Sequence, residues 1–299
     1  MSTNAGATAI GVLGSANMDL VVRVEAPPRP GETIFGSSFT TVPGGKGLNQ
    51  AVALARAGGA VEFIGTVGTD GYGDELAALM VREGMRVEGL RREGVTGTAH
   101  ITVDGEGQNS IVVVSAANLL TSADQLTAAT LGRLGWLVTQ LELDVVTVGT
   151  ALARAREAGV RTVLTPAPAR KLDAALLANV DLLVPNELEA CILTGLDDPA
   201  AAAQALSELC KEVVVTLGAD GALLAAGGRL VAEVPGRRVH AVDTTAAGDT
   251  FVGVLVALLA EGADMQHALT VATTAASIAV TRPGATSSMP TRAEIDAAL

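Results

Sequence analysis

The 299-residue chain holds only two cysteines, Cys191 and Cys210, and few aromatics: four Phe, one Tyr and one Trp. Two cysteines make neither a disulfide framework nor a metal-ligand pattern, and a chain of this length buries enough core to fold without either staple. Both are expected in helices, as reduced thiols. So few aromatics exclude the stacking platforms on which single-strand nucleic-acid binders depend. Basic residues are short as well. Twenty Lys and Arg stand against 32 Asp and Glu, a formal charge of −12, and that sign repels a phosphate backbone. No nucleic-acid partner is expected. Apolar content reaches 49%, largely through alanine, yet the longest run near the C-terminus, Phe251 to Ala260, stops at Glu261, Gly262 and Asp264. That is well short of the ~20 residues that cross a bilayer, so no membrane partner is expected either. The opening MSTNAGATAIGVLG lacks the basic start of a signal peptide, and a cytoplasmic location follows as an expectation. The three histidines, His100, His240 and His267, show no triad or metal spacing and read as structural.

Two common nucleotide motifs are missing too. A P-loop requires G-x-x-x-x-G-K-[ST]. Here Gly45-Lys46 is followed by Gly47, and Thr40 fills the first glycine position. The dinucleotide fingerprint G-x-G-x-x-G fails because the first predicted strand runs into GSANMDL.

What is present is a regular alternation. Ala9–Leu13, Val61–Ile64, Trp136–Val138, Arg161–Leu164, Asp181–Val184 and Val213–Leu217 read as buried strands. Gly47–Ala57, Asp74–Glu83, Ser122–Arg133, Asn186–Thr194 and Ala200–Cys210 read as helices, and 143–158 as one more despite its locally β-like Asp144–Thr147. Strands alternating with helices predict an α/β fold: a three-layer α/β/α core on a mostly parallel sheet. Two stretches break the rhythm. Thr98–Val103 turns through DGEGQN and returns as Ser110–Ser115, a hairpin pattern. Leu20–Val42 passes PPRPGE between two strand-like pieces. Each leaves one face polar, which predicts a small antiparallel sheet standing off the main body as a lid, with segments at about 18–43 and 96–117 inserted in one 1–299 domain.

The most informative segment is AVDTTAAGDTFVGVL. Small residues Ala246, Ala247 and Gly248 open a strongly apolar helix, and unpaired N–H groups at a helix start make an anion site. Asp249 stands beside it. A carboxylate next to an anion site suits a hydroxyl that loses a proton while negative charge builds on a phosphoryl group; the plainer reading is a helix cap. Asn186 and Glu189 follow a strand and fit a capping box, or a pair reaching phosphate and a Mg²⁺-bound water. Thr216 to Gly221 ends a strand in a glycine turn, with a hairpin across Gly227-Gly228 beyond. Asn17 and Asp19, two apart in extended chain, point the same way. With Gly44-Gly45-Lys46 and Asn49 they supply carboxylate, amide, ammonium and close backbone, a set suited to several hydroxyls. Glu142 adds a carboxylate at another strand end.

In this order the pieces resemble the ribokinase-like carbohydrate kinase family, with PGGKGLNQAVALARAG and DTTAAGDTFVGVL as its two separated signatures. The resemblance covers nearly the whole chain. It implies ATP-dependent phosphorylation of the 5-hydroxyl of D-ribose, with Asp249 as general base and Ala246, Ala247 and Gly248 as the anion hole. It implies that Asn17, Asp19, Gly45, Lys46, Asn49 and Glu142 hold the sugar. The nucleotide falls to Asn186, Thr216, Gly218, Ala219, Gly221, Gly248 and Thr273, and Mg²⁺, through water, to Glu189. Asp243, Thr245, Ala279, Arg282, Gly284 and Ser288 are implied as a monovalent-cation site for K⁺, and the lid as the interface of a homodimer. The chain departs from the family pattern at Leu48, Ala117, Thr165, Thr273 and Pro283. Leu48 and Ala117 bear on sugar choice. Another sugar kinase of the family, or a non-catalytic sugar-binding regulator on the same fold, are the alternatives.

Overall fold

The computed structural model describes residues 9–299; the reading of the first eight residues lies outside them. Its main body is a nine-stranded sheet in the order β13-β12-β11-β10-β9-β8-β1-β4-β5. The parallel part comprises β1 (Ala9–Leu13), β4 (Val61–Val67), β5 (Arg86–Arg92), β8 (Leu134–Gln140), β9 (Arg161–Thr165), β10 (Leu182–Leu183) and β11 (Glu212–Thr216). An antiparallel hairpin, β12 (Gly221–Ala226) and β13 (Arg229–Pro235), closes one edge. The strands are apolar on both sides because both faces are covered. Ile10, Val12, Phe63, Val138, Val163 and Val214 point into one buried cluster. Leu13, Ile64, Leu137, Leu164, Val213 and Val215 point into the other.

The first cluster lies under α1 (Lys46–Arg56), α2 (Gly71–Arg82), α8 (Ala247–Glu261) and α9 (Met265–Ala279). The second lies under α4 (Val145–Glu157), α6 (Glu187–Thr194) and α7 (Pro199–Leu206). Three short helices, α3 (Ala128–Leu131), α5 (Ala174–Leu177) and α10 (Arg292–Asp296), complete the set. Among the described residues no helix is long and apolar enough to cross a membrane.

A second sheet of four strands stands apart, in the order β3-β2-β6-β7: β2 (Asn17–Arg23), β3 (Ser38–Gly44), β6 (Gly97–Val103) and β7 (Asn109–Val114). Two antiparallel pairs, β2 with β3 and β6 with β7, join through parallel pairing of β2 with β6. The expected polar outer face is not what β7 presents. Ile111, Val112, Val113 and Val114 are all exposed there, as is Phe39 on β3.

Local chemistry sets several boundaries differently from the sequence reading. The expected helix 122–133 is two short turns instead. Ser122 and Gln125 close a capping box, the Gln125 amide is drawn onto the Gly65 and Gly89 carbonyls, and Thr127 caps a new start at α3. The expected helix 200–210 stops at Leu206. Ser207 beyond it accepts from the Gly228 N–H, and Cys210 therefore sits buried in a turn, not in a helix. Strand β5 went unpredicted because Arg86, Glu88, Arg91 and Arg92 mask its pattern. The segment 143–158 does hold one helix, α4 (Val145–Glu157), capped by Asp144.

Helix α8 is buried from Asp249 to Leu258 because it packs between α1 and α9. The approach to α1 is closest at Gly253. A Cβ there would lie 2.5 Å from Ala53 Cβ, 2.8 Å from the Leu54 nitrogen and 2.9 Å from the Gln50 oxygen, so the two backbones meet only where α8 has no side chain. Replacing a mid-helix glycine by alanine gains about 1 kcal/mol of helix propensity, whereas overpacking against backbone costs about 1–3 kcal/mol. Gly253→Ala is therefore expected to be destabilising by up to about 2 kcal/mol, read as a lower midpoint in urea unfolding with unchanged slope.

Candidate active site

The candidate residues converge where parallel strands end and helices begin, the position of the ligand crevice in open α/β sheets. β8 ends at Gln140 and delivers Glu142; β9 ends at Thr165; β10 leads to Asn186; β11 ends at Thr216. Asn186 and Thr216 form a parallel bridge, so they stand side by side at the rim. Facing them are the N-terminal ends of α1 and α8.

Asp249 lies in the first turn of α8, only 7% exposed. Its Oδ2 accepts from Asn49 Nδ2 at 3.1 Å and its Oδ1 from Gln50 Nε2 at 2.9 Å. Both oxygens thus engage α1, and the carboxylate is not consumed in capping its own helix. That helix start has no side-chain cap at all. Ala246 is left-handed at φ 58, a strained conformation for a residue with a Cβ, and the Ala247 N–H turns back to the Thr244 carbonyl at 3.3 Å. Ala246, Ala247, Gly248 and Asp249 line a cavity of ≈ 200 Å³ together with Lys46, Thr165, Asn186, Glu189 and Thr216. Asn186 and Glu189 do form the capping box, with both bonds at 2.8 Å, and they line this cavity as well.

Around Lys46 the acidic groups gather. Burial acts to lower its ammonium, but the carboxylates of Asp249, Glu142 and Glu189 outweigh burial and hold it above the ordinary lysine range. Glu142 is itself tied down: its Oε2 accepts from Ser15 Oγ at 2.6 Å and from the Lys46 N–H at 3.0 Å. Burial pushes the Glu189 carboxyl up, against the Asn186 N–H and Lys46, which pull it down. Burial and then the charge of Glu142 push Asp19 up to about 7.

Asn17 and Asp19 open β2. Asn17 Oδ1 accepts from Asn118 Nδ2 at 2.7 Å, and Asn118 Oδ1 accepts from the Ala16 N–H at 3.0 Å, which anchors the first residue of the lid to the body. Gly44, opposite Asn17 on β3, leaves room for Asp19; a Cβ there would collide with the Asp19 carboxylate. Gly45, left-handed at φ 89, starts α1. Among the residues expected to hold a sugar, two acceptors are buried without a donor, Asp19 Oδ1 and Asn49 Oδ1. Native proteins seldom leave such groups unpaired unless a ligand supplies the partner.

A second cavity of ≈ 530 Å³ adjoins the first and shares Thr216, Thr244, Ala247 and Gly248 with it. Gly218, Ala219, Asp220 and Gly221 form one wall, Phe251, Thr273, Ala276 and Ser277 another, and Arg237 and Arg238 a third side. Thr273 Oγ1 is buried there without a partner. Behind the start of α8, Asp243 Oδ1 accepts from the Thr245 N–H at 2.9 Å and Oδ2 from the Gly284 N–H at 2.8 Å. Against the effect of burial, these bonds hold the Asp243 carboxyl below its usual range. The structure brings Asp243, Thr245 and Gly284 into direct contact. Ala279 ends α9, and Arg282 and Ser288 lie on the connection beyond it, but they bond locally or to α10: the Ala279 carbonyl accepts from the Arg282 N–H, Ser288 Oγ donates to the Ala285 carbonyl, and the Arg282 guanidinium pairs with Glu294 at 2.8 Å.

Two residues expected to bear on sugar choice do not line the site. Leu48 is fully buried in the apolar cluster, and Ala117 is buried with its N–H on the Val95 carbonyl. The sequence reading passed over Ser15, Gln50, Asn118 and Gln140, and noted Thr165 only as a departure. The available signal was polar residues at positions where the helix and strand patterns call for apolar ones.

The arrangement comprises a buried carboxylate, an uncapped helix start, a lysine among carboxylates and a larger adjoining cavity. These are the parts of a phosphoryl-transfer site that acts on a hydroxyl. The model of the pfkB family of carbohydrate kinases matches residues 7–292, and the chain belongs to that family. It is 40% identical over 293 residues to the ribokinase of Haemophilus influenzae, covering 95% of each chain. Among solved structures it is similar to the ribokinase of Thermotoga maritima, with a TM-score of 0.90, 36% identity and coverage of 97% and 98%. It is likewise similar to the Arabidopsis thaliana ribokinase complexed with ribose and ATP, with a TM-score of 0.90, 31% identity and 98% of both chains covered.

The Asp19 environment generates a pH prediction. A carboxyl that the fold holds protonated up to about 7, but that ionises near 4 when unfolded, makes the folded state bind more protons across that window. Stability then falls as pH rises through it. Asp19→Asn removes this dependence, so in urea unfolding without sugar the variant is expected to gain on the wild type from pH 5 to pH 8, with no further gain above.

Proposed function

We propose that the protein is a ribokinase, transferring the γ-phosphoryl group of ATP to the 5-hydroxyl of D-ribose. The observation that carries this reading is the pair of buried, donorless acceptors, Asp19 Oδ1 and Asn49 Oδ1, the second on the side chain that binds Asp249. Such acceptors call for a ligand rich in hydroxyl donors, held against a carboxylate. Ribose in particular is supported by the similarity, along almost the whole chain, to ribokinases.

In this reading Asn17, Asp19, Gly45, Lys46, Asn49 and Glu142 hold the sugar. Asp249 takes the proton of the 5-hydroxyl as that oxygen bonds to the γ-phosphorus and the bond to the β,γ-bridging oxygen breaks, releasing ADP. Negative charge on the transferring group falls before the first-turn amides of α8 and the Lys46 ammonium, which are in place beforehand and need no reorganisation. Asn186, Thr216, Gly218, Ala219, Gly221, Gly248 and Thr273 surround the nucleotide.

Among the described residues there is no cluster of three or more His, Cys, Asp or Glu side chains that would hold a metal ion alone. Magnesium fits nonetheless, since it keeps most of its waters and binds chiefly through phosphates, and Glu189 retains one oxygen beyond the Oε2 that caps Asn186. When bound it neutralises phosphate charge. Asp243 and Thr245, the backbone carbonyls around Ala279, Arg282 and Gly284, and the Ser288 hydroxyl offer only oxygen, which fits K⁺; the ion would brace the α8 start from behind by its charge. A cytoplasmic enzyme acting as a homodimer through the exposed apolar face of β7 completes the reading.

The direct test is ADP release with Mg·ATP on ribose, deoxyribose, fructose and adenosine, each with and without K⁺. Selective turnover of ribose, raised by K⁺, is expected. Turnover on a different sugar would move the specificity while keeping the chemistry, and binding without any turnover would make the protein a regulator. Asp249→Ala is expected to lower kcat by about 10²–10⁴-fold; full turnover in that variant would remove Asp249 from the mechanism.

A further inference from the structure

Gln50 on α1 and Gln140 at the end of β8 have no solvent exposure, and neither belongs to the sugar, nucleotide or cation sets described above. Gln50 Nε2 donates to Asp249 Oδ1 at 2.9 Å and to Thr165 Oγ1 at 3.2 Å, while Gln50 Oε1 accepts from Gln140 Nε2 at 2.6 Å. The polarity of this chain is forced from its acidic end. An ionised carboxylate only accepts, so Gln50 must turn its amino group to Asp249. Its carbonyl oxygen then meets Gln140, which must present an amino group in turn. Gln140 Oε1 is left buried without a donor, against Gly14, where a Cβ would come within 2.5 Å of it. An unpaired buried acceptor is unfavourable, and it is tolerated here at the end of the chain remote from Asp249.

We propose that Gln50, oriented by Gln140, is a positioning residue that sets the Asp249 carboxylate for proton abstraction from the sugar hydroxyl. Asn49 Nδ2 grips the other oxygen at 3.1 Å, so two adjacent residues of one helix fix the rotation of the carboxylate about its Cβ–Cγ bond. The inference rests on the reading of Asp249 as the general base. Its leverage is geometric, because an ångström of misplacement between reacting groups costs about 10²-fold in rate.

The test is steady-state kinetics of Gln50→Met and Gln140→Met, which keep volume and remove the amides, with folding checked by circular dichroism and thermal unfolding. Gln50→Met is expected to lower kcat by roughly 10–100-fold and leave KM for sugar and for ATP within about twofold, since Gln50 is fully buried and lines neither cavity. Gln140→Met is expected to show a smaller loss of the same kind, and it carries the test if Gln50→Met does not fold. In an Asp249→Asn background, Gln50→Met is expected to cause no further loss of residual turnover. Wild-type kcat in the folded variants, or an equal loss with and without the Asp249 carboxylate, overturns the proposal. The two readings separate cleanly: full turnover by Asp249→Ala removes the base and the relay with it, whereas an inactive Asp249→Ala beside a fully active Gln50→Met removes the relay alone.

Discussion

The structure depends on how closely α8 lies against α1. Those two helices are far apart in sequence, yet Asn49 and Gln50 from one must reach both oxygens of Asp249 on the other. Hydrogen bonds of that length tolerate a few tenths of an ångström. The spacing is set one turn along α8, at Gly253, where a single methyl group would meet side chain and backbone of α1 together. Close packing of apolar surface therefore sets the coordinates of a polar site. The sheet contributes the opposite wall, since the ends of β8, β9 and β11 reach the same crevice and fix Gln140, Thr165 and Thr216 at its edge.

The site collects charge that the fold alone would not choose. Asp19 lies beside Glu142, and three carboxylates surround one lysine; burial works against the ionisation of Asp19, Lys46 and Glu189. Acceptors without donors at Asp19 and Asn49 add to the cost, and the left-handed Ala246 adds a strained residue. These unfavourable features sit together, in the region that a sugar and a phosphoryl group would complete. By contrast Glu62, wholly buried in β4, is held by both oxygens to Arg133. Local conflict concentrated at one crevice is the pattern expected of a functional site.

Much of this was legible from the residues. Ala9–Leu13 was read with its observed bounds because a continuous apolar run has one interpretation in a covered sheet. Asp249, Lys46, Glu142 and Glu189 were singled out by their chemistry and do come together. What escaped was of two kinds. Strand β5 and the segment 122–133 were misjudged where charged edge residues or two successive caps, Ser122 and Thr127, override periodicity. Gln50 and Gln140 escaped because glutamine bears no titratable group, and its meaning here comes from a partner 90 residues away. Leu48 erred in the other direction: it stands between the candidate residues Lys46 and Asn49, but its side chain turns into the apolar cluster.

The two sheets end in edges of opposite character. At β5 the main sheet finishes on Arg86, Glu88, Arg91 and Arg92, charges that refuse an incoming strand. At β7 the smaller sheet finishes on Ile111, Val112, Val113 and Val114, uncharged, β-branched and exposed. A run of that kind is a template for intermolecular pairing. Association between molecules is thus expected to begin at β7, so the contacts that hold this strand in its sheet also govern how readily one molecule adheres to another.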